Sequence, residues 1–355
     1  MIEINGCKVQ TVLVTGAAGL IGASFVQHLI LSNQVQSCLH SCKMIVGIDC
    51  MEPWGNDNII PENHLYKFYK LHCESDEIEN LFKKYNFDIV YHFAAYAAIG
   101  LSPFMRKFNY ENNIISTVNI INNCIKYKVK RIVYTSSTSV YGEGVKPGQL
   151  FDENDVIKPV DPYAISKYAC ELDIQSAGEQ HGLDWCIIRP HNVFGIYQNV
   201  NDKYRNVLGI WMHQLVNGEP LSIYGDGTQT RAFTVTDNIM QCLLIAGESK
   251  ECSKQIINLG GERIFTLNET AEIFSSTLGI DINKFKHYEA RFEVKHSVPT
   301  NDKARDLLKY KELVSFEEGL LKMWDWVLSE QKVKSEWYRW DKFELEDKIY
   351  SYWKN

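Results

Sequence analysis

Tyr163-Ala-Ile-Ser-Lys167 sets a phenol and an ammonium four positions apart. On a helix they share one face, one turn apart. A phenol ordinarily titrates near about 10, and a neighbouring ammonium favours its phenolate and lowers that value. Such a tyrosine can take the proton of a substrate hydroxyl while hydride leaves the same carbon. A Tyr–Lys pair alone is common on helix surfaces. Here a second component precedes it: Ser136-Ser137-Thr138-Ser139, a run of hydroxyls closing the apolar stretch from Val133. Ser137 lies 26 residues before Tyr163. A hydroxyl there can hold and polarise the reacting oxygen. The structural alternative is a polar strand-end loop.

The third component is Val12-Leu-Val-Thr-Gly16-Ala-Ala18-Gly19-Leu20-Ile21-Gly22, with glycines at i, i+3 and i+6. An apolar strand precedes them and a helical pattern follows. Gly16 permits the tight turn, Gly19 lets the backbone approach a pyrophosphate, and Gly22 lets helix and strand pack closely. Amides of Ala18, Leu20 and Ile21 at the helix start then face the anion. Met44–Ile48 ends in Asp49, placed to accept from adenosine ribose hydroxyls and to repel a 2′-phosphate. Cys50, Met51 and Glu52 supply no cation, which favours NAD over NADP. The 27 positions from Gly22 to Asp49 are long, and Ser32–Lys43 reads as an enlarged loop.

The elements that must position these groups are legible by periodicity. Strands are expected at Thr11–Val14, Met44–Ile48, Ile89–Phe93, Arg131–Thr135 and Trp185–Arg189. Helical patterns fall at Ile21–Leu31, Ile78–Tyr85, Asn109–Tyr127 and Tyr163–His181. This alternation is that of an α/β protein, a Rossmann-type doubly wound parallel sheet with a smaller C-terminal α/β substrate lobe. The near-continuous apolar strands are those of a sheet covered on both faces. The expected division is 1–195 for the NAD-binding domain, with some later segments returning to it, 196–331 for the substrate lobe, and 332–355 for a tail. The tail holds Trp337, Tyr338, Trp340, Phe343, Tyr350, Tyr352 and Trp353 among many charges. It reads as a helix packing its aromatic side on the body, with a partner-binding tail as the alternative.

Composition narrows the partners. The 355 residues carry a net charge of −7 and no long basic run, which argues against nucleic acid. No apolar run approaches the ~18 residues of a membrane span, and the N-terminus lacks a signal pattern, so a cytoplasmic protein is expected. None of the ten cysteines forms a C-x-x-C pair, and Cys38, His40 and Cys42 lack further ligands, so no metal site is expected.

Together these motifs resemble the extended short-chain dehydrogenase/reductase superfamily, in its NAD-dependent nucleotide-sugar epimerase/dehydratase branch. The resemblance runs over roughly residues 10–330. It implies Ser137, Tyr163 and Lys167 as the catalytic set. It implies NAD held by the glycine cradle, Asp49, His92-Phe93-Ala94-Ala95, Asn113, Tyr163, Lys167 and Pro190. In Arg189-Pro-His-Asn192-Val-Phe-Gly195 the asparagine is implied to bind substrate phosphates. In Tyr224-Gly-Asp-Gly-Thr-Gln-Thr-Arg231 the arginine is implied to pair with the diphosphate, and Arg291 resembles a second such arginine. Guanidinium forks suit phosphate oxygens.

Dehydratases of the branch carry an Asp-Glu pair directly after the catalytic Ser/Thr. Here Thr138 and Ser139 stand at those positions, and neither is an acid or base near neutral pH. The resemblance therefore implies C4 epimerisation of a nucleotide-diphosphate sugar, with UDP first and GDP or dTDP as alternatives, by a homodimer. A 4-dehydrogenase, a reductase, a 4,6-dehydratase or a non-catalytic NAD sensor are the other readings. Three departures from the branch stand out: Ala232 in place of an acid after Arg231, no acid around Leu71-His72, and an unusual 96–106 segment.

Overall fold

The computed structural model describes residues 3–4, 7–8, 11–34, 42–51, 62, 64–143, 150–296 and 298–354. Cys38, His40, Glu52 and most of the expected Ser32–Lys43 loop lie outside the described residues.

Seven parallel strands form the central sheet: β1 (Thr11–Thr15), β2 (Met44–Asp49), β3 (Tyr66–Lys70), β4 (Ile89–His92), β5 (Arg131–Thr135), β6 (Trp185–Pro190) and β7 (Gln255–Leu259). Their spatial order is β7-β6-β5-β4-β1-β2-β3. The chain leaves β1 toward one edge and returns through β4 on its other side. The order thus reverses between β1 and β4, where a crevice opens at the carboxyl ends of the strands. Strand residues alternate between two cores: Val12 and Val14 pack into one, Leu13 into the other. That two-sided burial is the reason the strands read as unbroken apolar runs.

Helices α1 (Leu20–Gln34) and α5 (Thr236–Glu248) pack together over one face. On the other lie α2 (Ile78–Tyr85), α3 (Ser116–Lys126) and α4 (Pro162–His181). A short helix (Arg106–Tyr110) and a π-helical turn (Glu111–Ile115) lead into α3. Three elements of this domain went unread in the sequence. Strand β3, Tyr-Lys-Phe-Tyr-Lys, is an edge strand whose two lysines are exposed. Helix α5 and strand β7 lie beyond the point where the alternation breaks, yet they return to the sheet beside α1 and β6.

The second lobe is built on Asn192–Phe194, which pairs in parallel with Thr230–Val235, which in turn pairs antiparallel with Ile264–Thr266. Leu221–Tyr224 pairs in parallel with Phe285–Tyr288. Trp211, Phe274, Leu320 and Met323 fill its core.

The tail is not the helix expected. Among its described residues the helical element is Ser351–Trp353, a 3-10 turn, and Phe343, Ile349 and Trp353 are buried against the body. Its aromatics follow no 3.6-residue stripe, and its backbone groups bond to the body instead: Tyr338 donates to Asn201 O at 2.8 Å and Leu345 to Phe104 O at 3.1 Å. Among the described residues no helix is long and apolar enough to cross a membrane.

Candidate active site

The glycine turn is as tight as its sequence demands. Gly16 has φ +67°, and a Cβ there would meet Ala94 N at 2.8 Å. A Cβ on Gly22 would overlap the Gly16 carbonyl oxygen. A Cβ on Gly19 would meet only Gly16 O, at 3.3 Å. Only glycine therefore lets the turn fold under α1 and bring the helix's free first-turn amides to the crevice. Asp49 accepts from Ala18 N at 3.0 Å and Met51 N at 2.7 Å, which ties its carboxylate to the same turn. Burial pushes its carboxyl above the ordinary range, and these backbone donors pull against that.

A buried relay fixes the next wall. The Ala94 amide donates to Thr15 Oγ1 at 3.1 Å, and that oxygen lies 2.7 Å from His92 Nδ1. On the far side His92 Nε2 lies 2.9 Å from Thr117 Oγ1, which donates to Asn113 O at 2.6 Å. The chain closes consistently if Nε2 carries the proton and Nδ1 accepts from Thr15. Burial depresses the His92 pKa to about 3, so the ring is neutral at working pH.

Asn113, on the π turn, sits in the layer beneath. Its Oδ1 accepts from Tyr96 N at 3.0 Å, and its Nδ2 donates to Asn109 Oδ1 at 3.0 Å and Ser166 Oγ at 3.2 Å. It ties the loop after β4 to α4, the helix that carries Tyr163.

Ser137 caps the turn after β5, accepting from Ser139 N at 3.1 Å. Tyr163 opens α4, whose N-cap Asp161 accepts from Ala164 N at 2.9 Å. Contrary to the lowering expected from Lys167, whose ammonium turns to Thr135 O, burial pushes the Tyr163 phenol up to about 12, while a hydrogen bond with Ser137 and the charge of Arg205 pull it down. Lys167 donates to Thr135 O at 2.7 Å, with its ammonium 4.7 Å from the Tyr134 ring centroid. Burial brings its pKa down to about 8. Below the site, Glu171 accepts from Arg189 Nε at 2.9 Å and Nη2 at 2.6 Å, and also from Ser136 Oγ. This network fixes the strand ends that carry Ser137 and Pro190.

A cavity of about 460 Å³ collects these groups. Gly16, Ala18, Gly19, Leu20, Ile21, Gly22, Asp49, Phe93, Ala94, Ala95 and Pro190 line it on one side. Ser137, Thr138, Tyr163 and Lys167 line its middle, and Asn192, Tyr224, Arg231 and Arg291 the other end. Asn113 is buried outside the lining. Asn192 Nδ2 donates to Ala232 O at 3.1 Å. Arg231 pairs with Glu293 at 2.9 Å. The Arg291 guanidinium lies 3.5 Å from the Tyr224 ring centroid. Sequence reasoning missed Arg205 and Asp202, which also line the cavity. They fall in an irregular segment where no spacing marks them.

The cradle, the carboxylate beside it and the Ser–Tyr–Lys set at the sheet's carboxyl edge fit a dinucleotide whose reactive end reaches Tyr163. A family model described as the NAD dependent epimerase/dehydratase family matches residues 12–260. The chain belongs to that family. A solved UDP-N-acetylglucosamine 4-epimerase from Methanobrevibacter ruminantium is 30% identical, with TM-score 0.80, covering 91% of this chain and 100% of its own. A UDP-glucuronic acid 4-epimerase from Bacillus cereus, solved with UDP-glucuronic acid and NAD, is 26% identical, with TM-score 0.80, over 90% of this chain and 99% of its own. A dTDP-D-glucose 4,6-dehydratase from Mus musculus is 28% identical over 90% of this chain and 89% of its own length. The family is NAD dependent, and it includes both isomerases and lyases among this chain's relatives.

Proposed function

We propose that the protein epimerises a nucleotide-diphosphate sugar at C4. The observation that carries this reading is the wall after Ser137. Thr138 and Ser139 line the cavity where a dehydratase needs an acid and a base. The carboxylates that line it are engaged elsewhere: Asp49 by the cradle, Asp161 by the α4 cap, Asp202 by Tyr96 and Tyr204, Glu293 by Arg231.

NAD, when bound, supplies a hydride acceptor and donor. Gly16, Ala18, Gly19, Leu20, Ile21, Gly22, Asp49, Phe93, Ala94, Ala95 and Pro190 would hold it, with Lys167 reaching a ribose and Asn113 stiffening the wall from behind. Ser137 orients the sugar's 4-oxygen. Tyr163 takes its proton and later returns it, and proton transfer by a positioned group is worth about 10²–10⁴-fold. Asn192, Arg231 and Arg291 keep the diphosphate while the 4-keto ring turns, so the opposite face of C4 is presented for reduction and the proton returns to the 4-oxygen. UDP is the first nucleotide to test, then GDP and dTDP.

A cytoplasmic homodimer accompanies this reading. Eight cysteines, from Cys42 to Cys252, are free thiols. Ile115, Ile165 and Leu172 remain exposed on the π turn and α4, the helices through which the resemblance implies dimerisation. The apolar stripe of α3 itself is spent inside the subunit, where Ile120, Ile121 and Cys124 are buried.

The test is a panel of UDP-, GDP- and dTDP-sugars, with products read by NMR and NADH by absorbance. A C4 epimer without net NADH supports the reading. Stoichiometric NADH with a keto sugar replaces it by a dehydrogenase, and a 6-deoxy-4-keto product by a dehydratase.

A further inference from the structure

The mechanism leaves the aromatic tail without a role. Its last turn lies on the arginine that closes the substrate end of the cavity. Tyr352 Oη accepts from Arg291 Nε at 3.0 Å, and the Tyr352 ring lies 4.5 Å from that of Tyr224. Arg291 therefore stacks on Tyr224, whose ring centroid lies 3.5 Å from its guanidinium carbon, with the Tyr352 ring, packed beside Tyr224, at 5.3 Å from that carbon. Tyr350 grips the next residue, accepting from Phe292 N at 2.8 Å.

The same turn is anchored on the opposite lobe. There Trp353 packs edge-on to Phe104 at 6.1 Å, and it also meets Tyr204, in the segment after Asn192–Phe194, at 4.9 Å. Upstream, the Glu344 carboxylate accepts from the amides of Lys107 and Phe108, both at 2.8 Å, capping the helix that leads to Asn113. The tail thus runs as a strap from the NAD-binding half to the substrate lobe.

One feature of Arg291 gives this strap a chemical purpose. Its Nη2 is buried and has no hydrogen-bond partner among the described residues. A buried guanidinium nitrogen without an acceptor is costly, and an anionic oxygen is the group that satisfies it best. Stacking by Tyr224 and the bond from Nε to Tyr352 fix the plane of the fork. The remaining donors then need no reordering when a diphosphate arrives.

We propose that Tyr352 is a positioning residue of the substrate site, holding Arg291 in the orientation that receives the diphosphate of a nucleoside-diphosphate ligand. This rests on the reading of Arg291 as a diphosphate-binding residue. The strap sits behind the cavity wall and touches the ligand only through Arg291.

The test is a double-mutant cycle read by binding, so that turnover is not required. Wild type, Tyr352→Phe, Arg291→Ala and the double variant, each purified with its cofactor, are titrated calorimetrically with UDP, GDP and dTDP, and their melting temperatures are recorded. Tyr352→Phe keeps the ring and loses only the acceptor for Nε. It should weaken the bound nucleotide about three- to tenfold, as for loss of one orienting hydrogen bond, with melting within about 2 °C of wild type. In the Arg291→Ala background the same change should have no further effect. Where turnover is measurable, KM should rise while kcat holds. Tyr352→Phe binding as wild type does, or losing the same factor without Arg291, overturns the proposal alone. Failure of wild type to bind all three nucleotides overturns it together with the diphosphate reading beneath it.

Discussion

Glu171→Leu should be among the most damaging single changes outside the cavity. Glu171 is fully buried and Arg189 nearly so, and the pair meets through two charge-assisted hydrogen bonds, at 2.9 and 2.6 Å. Ser136 Oγ also donates to Glu171, and Tyr141 Oη accepts from Arg189 Nη1 at 2.8 Å. Removing the carboxylate leaves a guanidinium buried without its counter-charge. Breaking one side of such a pair costs about 3–5 kcal/mol, whereas replacing both partners by apolar groups is often near neutral. Glu171→Leu should therefore lose about 3–5 kcal/mol in urea unfolding at fixed NAD concentration. The double variant with Arg189→Met should recover most of it. Activity should fall with the single change, because Ser136 precedes Ser137 and Arg189 precedes Pro190. A loss below about 1 kcal/mol, or a double variant no more stable than the single, would refute the argument that this pair is held by mutual compensation.

Further consequences are open to direct checks. Tyr163→Phe should retain NAD, seen by absorbance of the purified protein, and lose about 10²–10⁴-fold in turnover; a variant within tenfold of wild type removes Tyr163 as the acid/base. Gly22→Ala should cost NAD affinity and stability together, since its Cβ overlaps the Gly16 carbonyl oxygen; unchanged cofactor content on purification would count against the cradle. Acid should destabilise the fold early. His92 is depressed to about 3 and His191 and His213 to about 4, all by burial. Their neutral forms favour the folded state, so this stability is present above pH ~6.5 and is lost as pH falls toward 4, at about 2 kcal/mol per histidine by pH ~5. Melting temperature that is flat from pH 7.5 to 5 would contradict it.

Much of this architecture was legible because the physics behind it is local. Buried parallel strands must be apolar on both faces, so β1, β2, β4, β5 and β6 announced themselves. A turn that admits only glycine at Gly16 and Gly22 left the same mark. Edge strand β3 did not, because its Lys67 and Lys70 face water. The return of α5 and β7 to the sheet is a matter of topology that no window of sequence contains. Within the site, Tyr163 and Lys167 were visible through helical spacing, yet the orientation of Lys167 onto Thr135 O was not. Arg205 escaped because its segment is irregular. The tail showed its aromatic content, but its path depends on three partners far away in sequence: Asn201, Phe104 and Arg291. Asn113 was expected at the cofactor and lies one layer behind, where its amide joins two elements of the wall.

The most direct test of C4 epimerisation uses UDP-, GDP- and dTDP-hexoses carrying deuterium at C4, with products read by NMR. The account predicts an epimer that keeps its deuterium at C4 and takes up no hydrogen from solvent there, because the hydride that leaves this carbon returns to it. Deuterium lost to solvent, or found at C6 of a 4-keto-6-deoxy sugar, would contradict it.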